Sequence, residues 1–383
     1  MKDNRNIVIV NQAANYLTVG FANAFTGKFE KIALISGSIH IQGEELHPDI
    51  EIRKINKWAE RPPSKKFFSY IIALWKIFWL LKTRYRKYEV LFISLPPMGY
   101  LLNLILPHKF SMLIWDVYPD VFKITGMTEK HPVYRIWAYL NKLSFKKAFR
   151  IFTIGNKISQ LLEQYTDSSK ILITLIWSIF QNNERISPKA NIFIEEHKLE
   201  DKFVVQYSGN IGLTHNTEIM VEMAEKLKAN DKILFQIIGR GPRVHYLEKL
   251  VKEKKLENCQ FLPFQSDEMF PHSLSAANIG VVVLDKVTSK GSVPSKSYNL
   301  MNFGIPSLYI ASKDSELYDY AVNFRHAECY EENELDKAVD YILTLSEDKN
   351  LVDYYSGNAL KAADKFKREN ADKLVSLYLN SSA

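Results

Sequence analysis

The amino-acid sequence predicts an α/β protein of two domains, each built on a parallel sheet. The chain of 383 residues is too long for one ordinary core, and it suits two domains of roughly 180 residues each. Short apolar runs of strand length alternate with helical stretches throughout, which favours parallel sheets covered by helices on both faces. The apolar share of 46% and the charged share of 24% are those of a folded globular protein.

The first domain is predicted over residues 1–178. Apolar runs of four or five residues predict its strands, at Ile7–Val10, Ile32–Ser36, Val90–Ser94, Ser111–Trp115 and Ile151–Ile154. Longer stretches predict its helices, at Lys65–Arg86, Val133–Ala148 and Lys157–Tyr165. This order of elements implies a parallel sheet with helical crossovers.

A polar, irregular segment at residues 179–202, which contains Pro188, predicts the connection between the domains. The second domain is predicted over residues 203–360, with strands at Phe203–Tyr207, Ile233–Ile238, Gln260–Phe264, Ile279–Leu284 and Ser307–Ile310. Its helices are predicted at Thr217–Lys228, Arg243–Lys254, Asp267–Ala276 and Pro294–Phe303. Residues 361–383 are predicted to form a C-terminal helix that packs across the joint, because one helix cannot bury an apolar face alone.

The N-terminal residues and the two cysteines indicate a protein of the cytoplasm. Ile7–Val10 reads as a short buried strand without the apolar region of a signal peptide. No apolar run reaches the length of about 18 residues that a membrane span needs, and the nearest candidate, Phe67–Leu81, is interrupted by Lys76. Cys259 and Cys329 lie in no metal-like pair, as expected in a reducing compartment.

Positive charge is concentrated in the first half of the chain. The formal net charge is +7, and residues 54–87 carry ten Lys and Arg against one acid, Glu60, while residues 131–162 carry six and no acid. This balance predicts an anionic partner: a membrane surface, a phosphorylated acceptor or nucleic acid. The segment from Ser64 to Arg86 is apolar almost all round, which suits a membrane interface or burial between elements. No nucleic-acid motif accompanies the basic runs, so we expect residues 54–87 to meet an anionic membrane surface.

Two glycine turns follow predicted strands of the second half. The first, Tyr207–Gly212, includes Gly209, Asn210 and Gly212 and precedes a helix, so its backbone N–H groups favour an anion. The second, Ile238–Pro242, includes Gly239 and Arg240, and arginine suits bidentate phosphate binding. The alternatives are an ordinary tight turn and a solvated arginine.

A third motif, Ser292–Ser297, begins a helix that ends at Gly304 before Pro306. Ser295 and Lys296 therefore stand at a helix N-terminus, where a cation opposes the helix dipole by about 0.3–1 kcal/mol. A bound anion between them would explain this misfit, and a solvated lysine is the alternative.

In the first half, Asp116 and Asp120 flank a proline turn after a strand, where one of them is positioned to accept or orient an acceptor hydroxyl proton. An Asp that caps a turn is the alternative.

Together these motifs resemble glycosyltransferase family 4, in particular the bacterial capsule, exopolysaccharide and O-antigen subgroup typified by colanic-acid and N-acetyl-L-fucosamine transferases. The order and spacing of several segments carry the resemblance, which covers most of the chain: Ser94–Pro97, Trp115–Asp120, Arg150–Thr153, Tyr207–Gly212, Gly239–Pro242 and Val293–Pro306.

The resemblance implies a GT-B fold, with two Rossmann-like domains facing across a cleft. It implies a nucleotide-sugar donor, usually a UDP-sugar, held by the second domain, and an acceptor at the first, on the side of Asp116. By the same resemblance, donor contacts fall to Gly209, Asn210, Gly212, Gly239, Arg240, Phe264, Ser295, Lys296 and Asn299. It implies retention of anomeric configuration, with no metal or other cofactor, in keeping with the lack of an Asp-x-Asp motif.

The sequence departs from the family at two places. The paired glutamates before the Gly-x-Pro are replaced by Gly291 and Asn299, and the usual Arg and Lys of the first nucleotide loop are replaced by Asn210 and by His215 or Asn216. These losses leave a catalytically inactive homologue open.

Three functions compete on this sequence. The first is a glycosyltransferase of the inner membrane face that extends a lipid-diphosphate-linked or saccharide acceptor for surface polysaccharide. The second is a GT-B UDP-sugar 2-epimerase, which needs acids and histidines that the motifs largely lack. The third is a non-enzymatic protein that binds membrane or nucleic acid. The donor sugar, the linkage and the oligomeric state do not follow from spacing.

Overall fold

A computed structural model describes residues 3–59, 62–181, 184–212, 216–287 and 289–380. The chain forms two compact units. The first comprises residues 1–179 together with 367–383, and the second comprises residues 180–366. Each unit is built around one parallel sheet, as the alternation of apolar strands and helices predicts.

The first unit contains a seven-stranded sheet in the order β3-β2-β1-β4-β5-β6-β7. Its strands are parallel: β1 (Asp3–Val10), β2 (Phe29–Ser36), β3 (Ile50–Lys54), β4 (Glu89–Ile93), β5 (Phe110–Ile114), β6 (Arg150–Thr153) and β7 (Ile171–Ile173). Its helices are α1 (Tyr16–Ala24), α2 (Pro63–Lys82), α3 (Pro132–Lys147) and α4 (Asn156–Leu162). The strands β4, β5 and β6 and the second half of β1 are buried, because helices cover both faces of such a sheet.

The second unit contains a six-stranded parallel sheet in the order β10-β9-β8-β11-β12-β13. Its strands are β8 (Phe203–Asn210), β9 (Ile233–Arg240), β10 (Cys259–Leu262), β11 (Ile279–Val283), β12 (Ser307–Ile310) and β13 (Ala327–Tyr330). Its helices are α5 (Ile192–His197), α6 (Glu218–Lys226), α7 (Val244–Glu253), α8 (Phe270–Ser275), α9 (Ser295–Asn302), α10 (Glu316–Phe324), α11 (Leu335–Glu347) and α12 (Lys349–Ala363).

The segment predicted as the connection, residues 179–202, contains ordered structure of the second unit. Phe193 and Ile194 on α5 lie in an apolar cluster with Val204 and Ile238. The guanidinium of Arg185 donates hydrogen bonds to the backbone carbonyls of Ser275 and Ala277. The sequence of this segment is polar on average, and α5 contributes two buried residues, Phe193 and Ile194, to the apolar cluster.

The chain returns to the first unit at its end. The last helix, α13 (Asn370–Leu379), buries Tyr378, whose hydroxyl donates to Glu89 Oε2 at 2.9 Å. Arg368 donates to both carboxylate oxygens of Glu44, at 2.6 and 2.9 Å. Residues 361–363 end α12, so the predicted single helix over 361–383 is divided between two helices, and residues 381–383 lie outside the described part. Packing of this segment across the joint stays a prediction.

The sequence patterns do not predict several of the observed strands and helices. They include the strands β3, β7 and β13 and the helices α1, α5 and α10. β3, β7 and β13 lie at sheet edges. Charged residues dilute the apolar run in β3 and β13, and β7 is only three residues long. The helix α1 buries seven of its nine residues, so it shows no contrast between an apolar and a polar face. Among the described residues, no helix is both long and apolar enough to span a membrane.

Candidate functional site

The two glycine turns of the second unit lie side by side at the carboxyl ends of β8 and β9. Gly209 and Gly239 are partners in the sheet register. Gly239 has a φ of +151°, and a Cβ there would lie 1.9 Å from the carbonyl oxygen of Gly209. A Cβ at Gly241 would lie 2.1 Å from the carbonyl oxygen of Ile211. Only glycine permits this contact between the two backbones.

The first turn is held in place by hydrogen bonds from its neighbours. The buried Tyr207 hydroxyl donates to the carbonyl of Asn210 at 2.8 Å, and Ile211 N–H donates to the carbonyl of Arg240 at 2.9 Å. The Asn210 side chain is exposed and lies over Gly212, whose Cβ position is 2.8 Å from Asn210 Nδ2. The turn is therefore preformed. Of the positions that replace the usual cations, Asn216 is described and His215 lies outside the described residues.

Lys296 lies in the first turn of α9 and points toward the Gly209 turn. Its Nζ lies 3.8 Å from the centroid of the Tyr207 ring and 3.0 Å from the position of a Cβ at Gly209. The ammonium is buried and has no hydrogen-bond partner among the described residues. Burial lowers the pKa of Lys296 to about 7. A buried cation without a partner is costly, and an anionic ligand at this helix N-terminus would compensate it.

The remaining residues predicted to contact the donor lie on the elements next to the Lys296 ammonium and the glycine turns. The guanidinium of Arg240 lies 5.2 Å from the centroid of the Phe264 ring, and both side chains are exposed. Arg240 follows Gly239 directly, so this cation–aromatic pair adjoins the glycine turns. Ser295 is exposed at the start of α9, and Asn299 is half-buried one turn later with an interaction of its own. The structure thus brings Gly209, Gly239 and Lys296 together, with Asn210 and Arg240 at the same edge.

Asp116 and Asp120, the predicted catalytic pair, have different environments in the first unit. Asp116 follows β5 and exposes its side chain to solvent. The protein atoms crowded around it raise the pKa of the Asp116 carboxyl to about 6. Its charge also contributes to a raised pKa of the Tyr70 phenol on α2, after the larger effect of burial. A reachable carboxylate with a raised pKa suits a group that accepts a proton.

Asp120 is buried, and its neighbours occupy both carboxylate oxygens. Tyr134 donates to Oδ1 at 2.8 Å and Tyr165 donates to Oδ2 at 2.7 Å. Lys123 Nζ lies 2.8 Å from Oδ1. Such a saturated carboxylate holds three elements together, and the geometry favours a structural role for Asp120. Its catalytic role stays a prediction without geometrical support.

No metal centre is evident in the described part of the chain, which contains no group of three or more His, Cys, Asp or Glu side chains placed to hold an ion. Cys259 and Cys329 are free thiols. Burial raises the pKa of each thiol to about 12, so neither is a reactive thiolate.

The basic helix α2 has one buried row and a broad exposed apolar face. Ala73, Ile77 and Leu81 are fully buried. The exposed face carries six large apolar side chains: Phe67, Phe68, Ile71, Ile72, Trp75 and Trp79. The helix α3 exposes a second such row, with Val133, Ile136, Tyr139 and Leu143. Of the basic segment 54–87, Glu60 and Arg61 lie outside the described residues.

Comparisons with known proteins agree with this architecture. Residues 188–362 match the family described as glycosyl transferases group 1. WcaI of Escherichia coli (strain K12), named for colanic acid biosynthesis as a glycosyl transferase, is 31% identical over 118 residues, which span 31% of this chain and 29% of that relative's length. WaaG, a glycosyltransferase involved in lipopolysaccharide biosynthesis, is similar in fold, with a TM-score of 0.71 over 98% of this chain and 100% of its own at 12% identity.

A second solved structure, Anabaena Alr3699/HepE in complex with UDP and glucose, gives a TM-score of 0.73 over 98% of this chain and 100% of its own, at 13% identity. At such low identity these structures establish the fold alone. They match over nearly the whole chain, and the family model covers the unit that holds the glycine turns. The chain therefore has the GT-B fold, and the family that its residues 188–362 match is glycosyl transferases group 1.

Proposed function

We propose that this protein is a glycosyltransferase that moves a hexosyl or N-acetylhexosaminyl group from a UDP-sugar to a lipid-diphosphate-linked or saccharide acceptor in bacterial surface polysaccharide synthesis. One observation carries the proposal: the buried ammonium of Lys296 lies beside the Gly209 turn and has no hydrogen-bond partner among the described residues. The name of WcaI supports the polysaccharide context. The complexes of Alr3699/HepE support a UDP-linked donor.

On this proposal, the donor diphosphate lies against the N-terminus of α9 and the two glycine turns. Backbone N–H groups of the turns and the Lys296 ammonium neutralise the charge that develops on the departing UDP. Arg240 and Phe264 contact the nucleoside, with Ser295 and Asn299 near the phosphates and sugar. The proposed reaction needs no metal and retains the anomeric configuration, as the resemblance to family 4 implies.

Asp116 is the proposed group on the acceptor side. Its carboxylate orients the attacking hydroxyl and accepts a hydrogen bond from it. Because the pKa of Asp116 is raised to about 6, the carboxylate is charged at neutral pH and is a better proton acceptor than an ordinary aspartate.

We further propose that the first unit rests on the inner face of the cytoplasmic membrane. The exposed aromatic side chains of α2 suit the acyl boundary, and lysines on the same helix suit anionic headgroups. The exposed row on α3, flanked by Arg135, Lys142 and Lys146, has the same composition. A peripheral position would bring the enzyme to a lipid-borne acceptor.

The decisive experiment measures UDP release from a panel of UDP-sugars by the purified protein. Release that rises when a polyprenyl-diphosphate-linked saccharide is added, with a glycosylated product, supports the proposal. Donor class is checked by thermal shift with UDP-, GDP- and dTDP-sugars, because a bound ligand raises the midpoint in proportion to the logarithm of its concentration over Kd. No release with any common donor, or epimerisation without an acceptor, would overturn the proposal.

A further inference from the structure

A pocket of about 580 Å³ lies in the first unit at the carboxyl ends of β2 and β3. Ligands of open parallel sheets bind at this edge. The pocket is lined by the ends of the two strands and by residues that follow them, with Ile39, Ile52 and Trp58 as its apolar part and His40, Lys54 and Lys57 as its basic part. Lys54 and Lys57 belong to the basic segment 54–87, whereas His40 lies outside every motif of the sequence.

The charge of this pocket has one sign. Its lining holds two lysines and a histidine and no Asp or Glu. Neither Lys54 nor Lys57 forms an ion pair within the described part of the chain, and all three basic side chains are exposed. Concentrated charge of one sign in a concave site attracts a ligand of the opposite sign.

Amide groups behind the pocket hold together the segments that line it. Gln12, which is fully buried, donates from Nε2 to the carbonyls of Asn56 and Ser69, at 3.3 and 3.2 Å. Asn56 Nδ2 donates to the same Ser69 carbonyl at 2.7 Å. A Cβ at Gly37 would lie 2.3 Å from the Asn56 carbonyl oxygen. The strand ends and α2 are thus tied together, and the lysines project from a preformed frame.

We infer that this pocket binds the diphosphate of a lipid-borne acceptor through Lys54, Lys57 and His40. The inference deepens the proposed function and rests on it. A diphosphate matches the single sign of charge, and the pocket volume lies in the range of small-ligand sites. Ser69, whose carbonyl closes the frame, belongs to α2, the helix that exposes Phe68 and Ile72 beside it. The exposed apolar face of α2 is therefore the surface that we expect the lipid chain next to the diphosphate to contact.

The first test isolates the pocket with inorganic pyrophosphate. Titration is performed on protein saturated with UDP, so that the proposed donor site is filled, and the double variant Lys54→Ala/Lys57→Ala is compared with wild type. We expect pyrophosphate affinity to fall tenfold or more in the double variant. The control Lys28→Ala/Lys31→Ala removes the same charge at exposed positions, and Lys31 lies about 17 Å along β2 from the pocket end. Equal affinity in wild type and the double variant, or equal loss in the control, overturns the inference.

The second test separates a diphosphate from a general anionic surface. Protein is sedimented with vesicles of phosphatidylglycerol and with neutral vesicles that contain a polyprenyl diphosphate. Selective loss of binding to the diphosphate vesicles in the double variant supports the inference, and equal loss on both vesicle types overturns it. UDP affinity is measured on every variant. Retained UDP binding with lost pyrophosphate binding locates the effect in the pocket, whereas absence of UDP binding in wild type would count against the proposed function alone.

Discussion

The two candidate binding regions of this protein are built in different ways. In the second unit, the site is formed by two backbone turns in contact. Gly239 approaches the Gly209 carbonyl so closely that a methyl group has no space, and the Lys296 ammonium is buried beside the turn. In the first unit, the candidate groups are side chains on exposed strand ends and helix faces. The first kind of site is rigid and intolerant of substitution, and the second can change its ligand by changing side chains.

The difference has an electrostatic counterpart. One buried cation acts over a short distance in a poorly screened environment, whereas exposed lysines act together and are weakened by salt. A nucleotide diphosphate that must be stabilised as it leaves suits the first arrangement. A membrane-borne anion that must be captured from a surface suits the second.

The comparison between Asp116 and Asp120 offers the largest expected effect. Asp116→Asn should lower kcat by about 100-fold or more, because the proposed proton acceptor is lost. Its free energy of unfolding should stay within about 0.5 kcal/mol of the wild-type value. Asp120→Asn should lower the free energy of unfolding by about 2 kcal/mol, since three hydrogen-bonded or ionic partners lose their acceptor charge. Steady-state kinetics and urea unfolding of both variants measure the contrast. Equal loss of kcat in two stable variants would make both residues catalytic.

Gly239→Ala should damage the second unit next most severely. The added methyl would meet the Gly209 carbonyl oxygen, and the φ of +151° is unfavourable for alanine. We expect a loss of about 3 kcal/mol in the free energy of unfolding and loss of measurable UDP binding. Gly126→Ala is the matched control, because Gly126 has a φ of +84° but no atom within 4 Å of its Cβ position. That variant should lose only about 1 kcal/mol and keep UDP binding, which separates steric contact from backbone strain.

These glycines show what the sequence was able to predict. Turns with two glycines after apolar strands indicate close backbone approach from residue type alone, and the sheets, most strands and the fold class followed from the same patterns. The role of Asp120 did not, because spacing places an acid at a strand end without revealing that Tyr134 and Tyr165 fill its oxygens. The pocket of Lys54 and Lys57 was also hidden. Its frame depends on Gln12 and Asn56, which are distant in sequence from their partners and carry no motif.

Lys296→Met tests whether the buried ammonium is needed to bind the donor nucleotide. Methionine keeps most of the volume and removes the charge, so UDP affinity should fall about 10- to 100-fold by isothermal titration. The unliganded variant should be at least as stable as wild type, because it lacks a buried cation that has no partner within the described part of the chain. Lys290→Met, on a half-buried lysine paired with Asp314 at 3.1 Å in the same unit, serves as control and should leave UDP affinity unchanged. Unaltered binding in Lys296→Met would leave the proposed donor site without its main support.

Variants in the exposed face of α2 test whether the first unit binds membranes through this face. Phe67→Ser/Trp75→Ser should weaken binding to phosphatidylglycerol vesicles about tenfold, since two large apolar side chains no longer enter the interface. Val322→Ser/Leu360→Ser removes two comparably exposed apolar residues from the second unit and should have no effect. Sedimentation with vesicles measures both. An equal effect of the two pairs would mean that exposure alone, and not this face, governs membrane binding.

The smallest expected effect is a pH dependence that belongs to the second unit alone. Because burial lowers the pKa of Lys296 to about 7, the free protein loses this ammonium as pH rises through 7, and UDP binds the charged form. Affinity should therefore fall about tenfold between pH 6 and pH 8, and binding at pH 8 should take up about one proton. Titration calorimetry in buffers of different ionisation enthalpy measures that uptake. Lys296→Met should show neither the fall nor the uptake, and a wild-type affinity that is flat across this range would mean that Lys296 keeps its charge without a ligand, so that burial alone does not set its protonation.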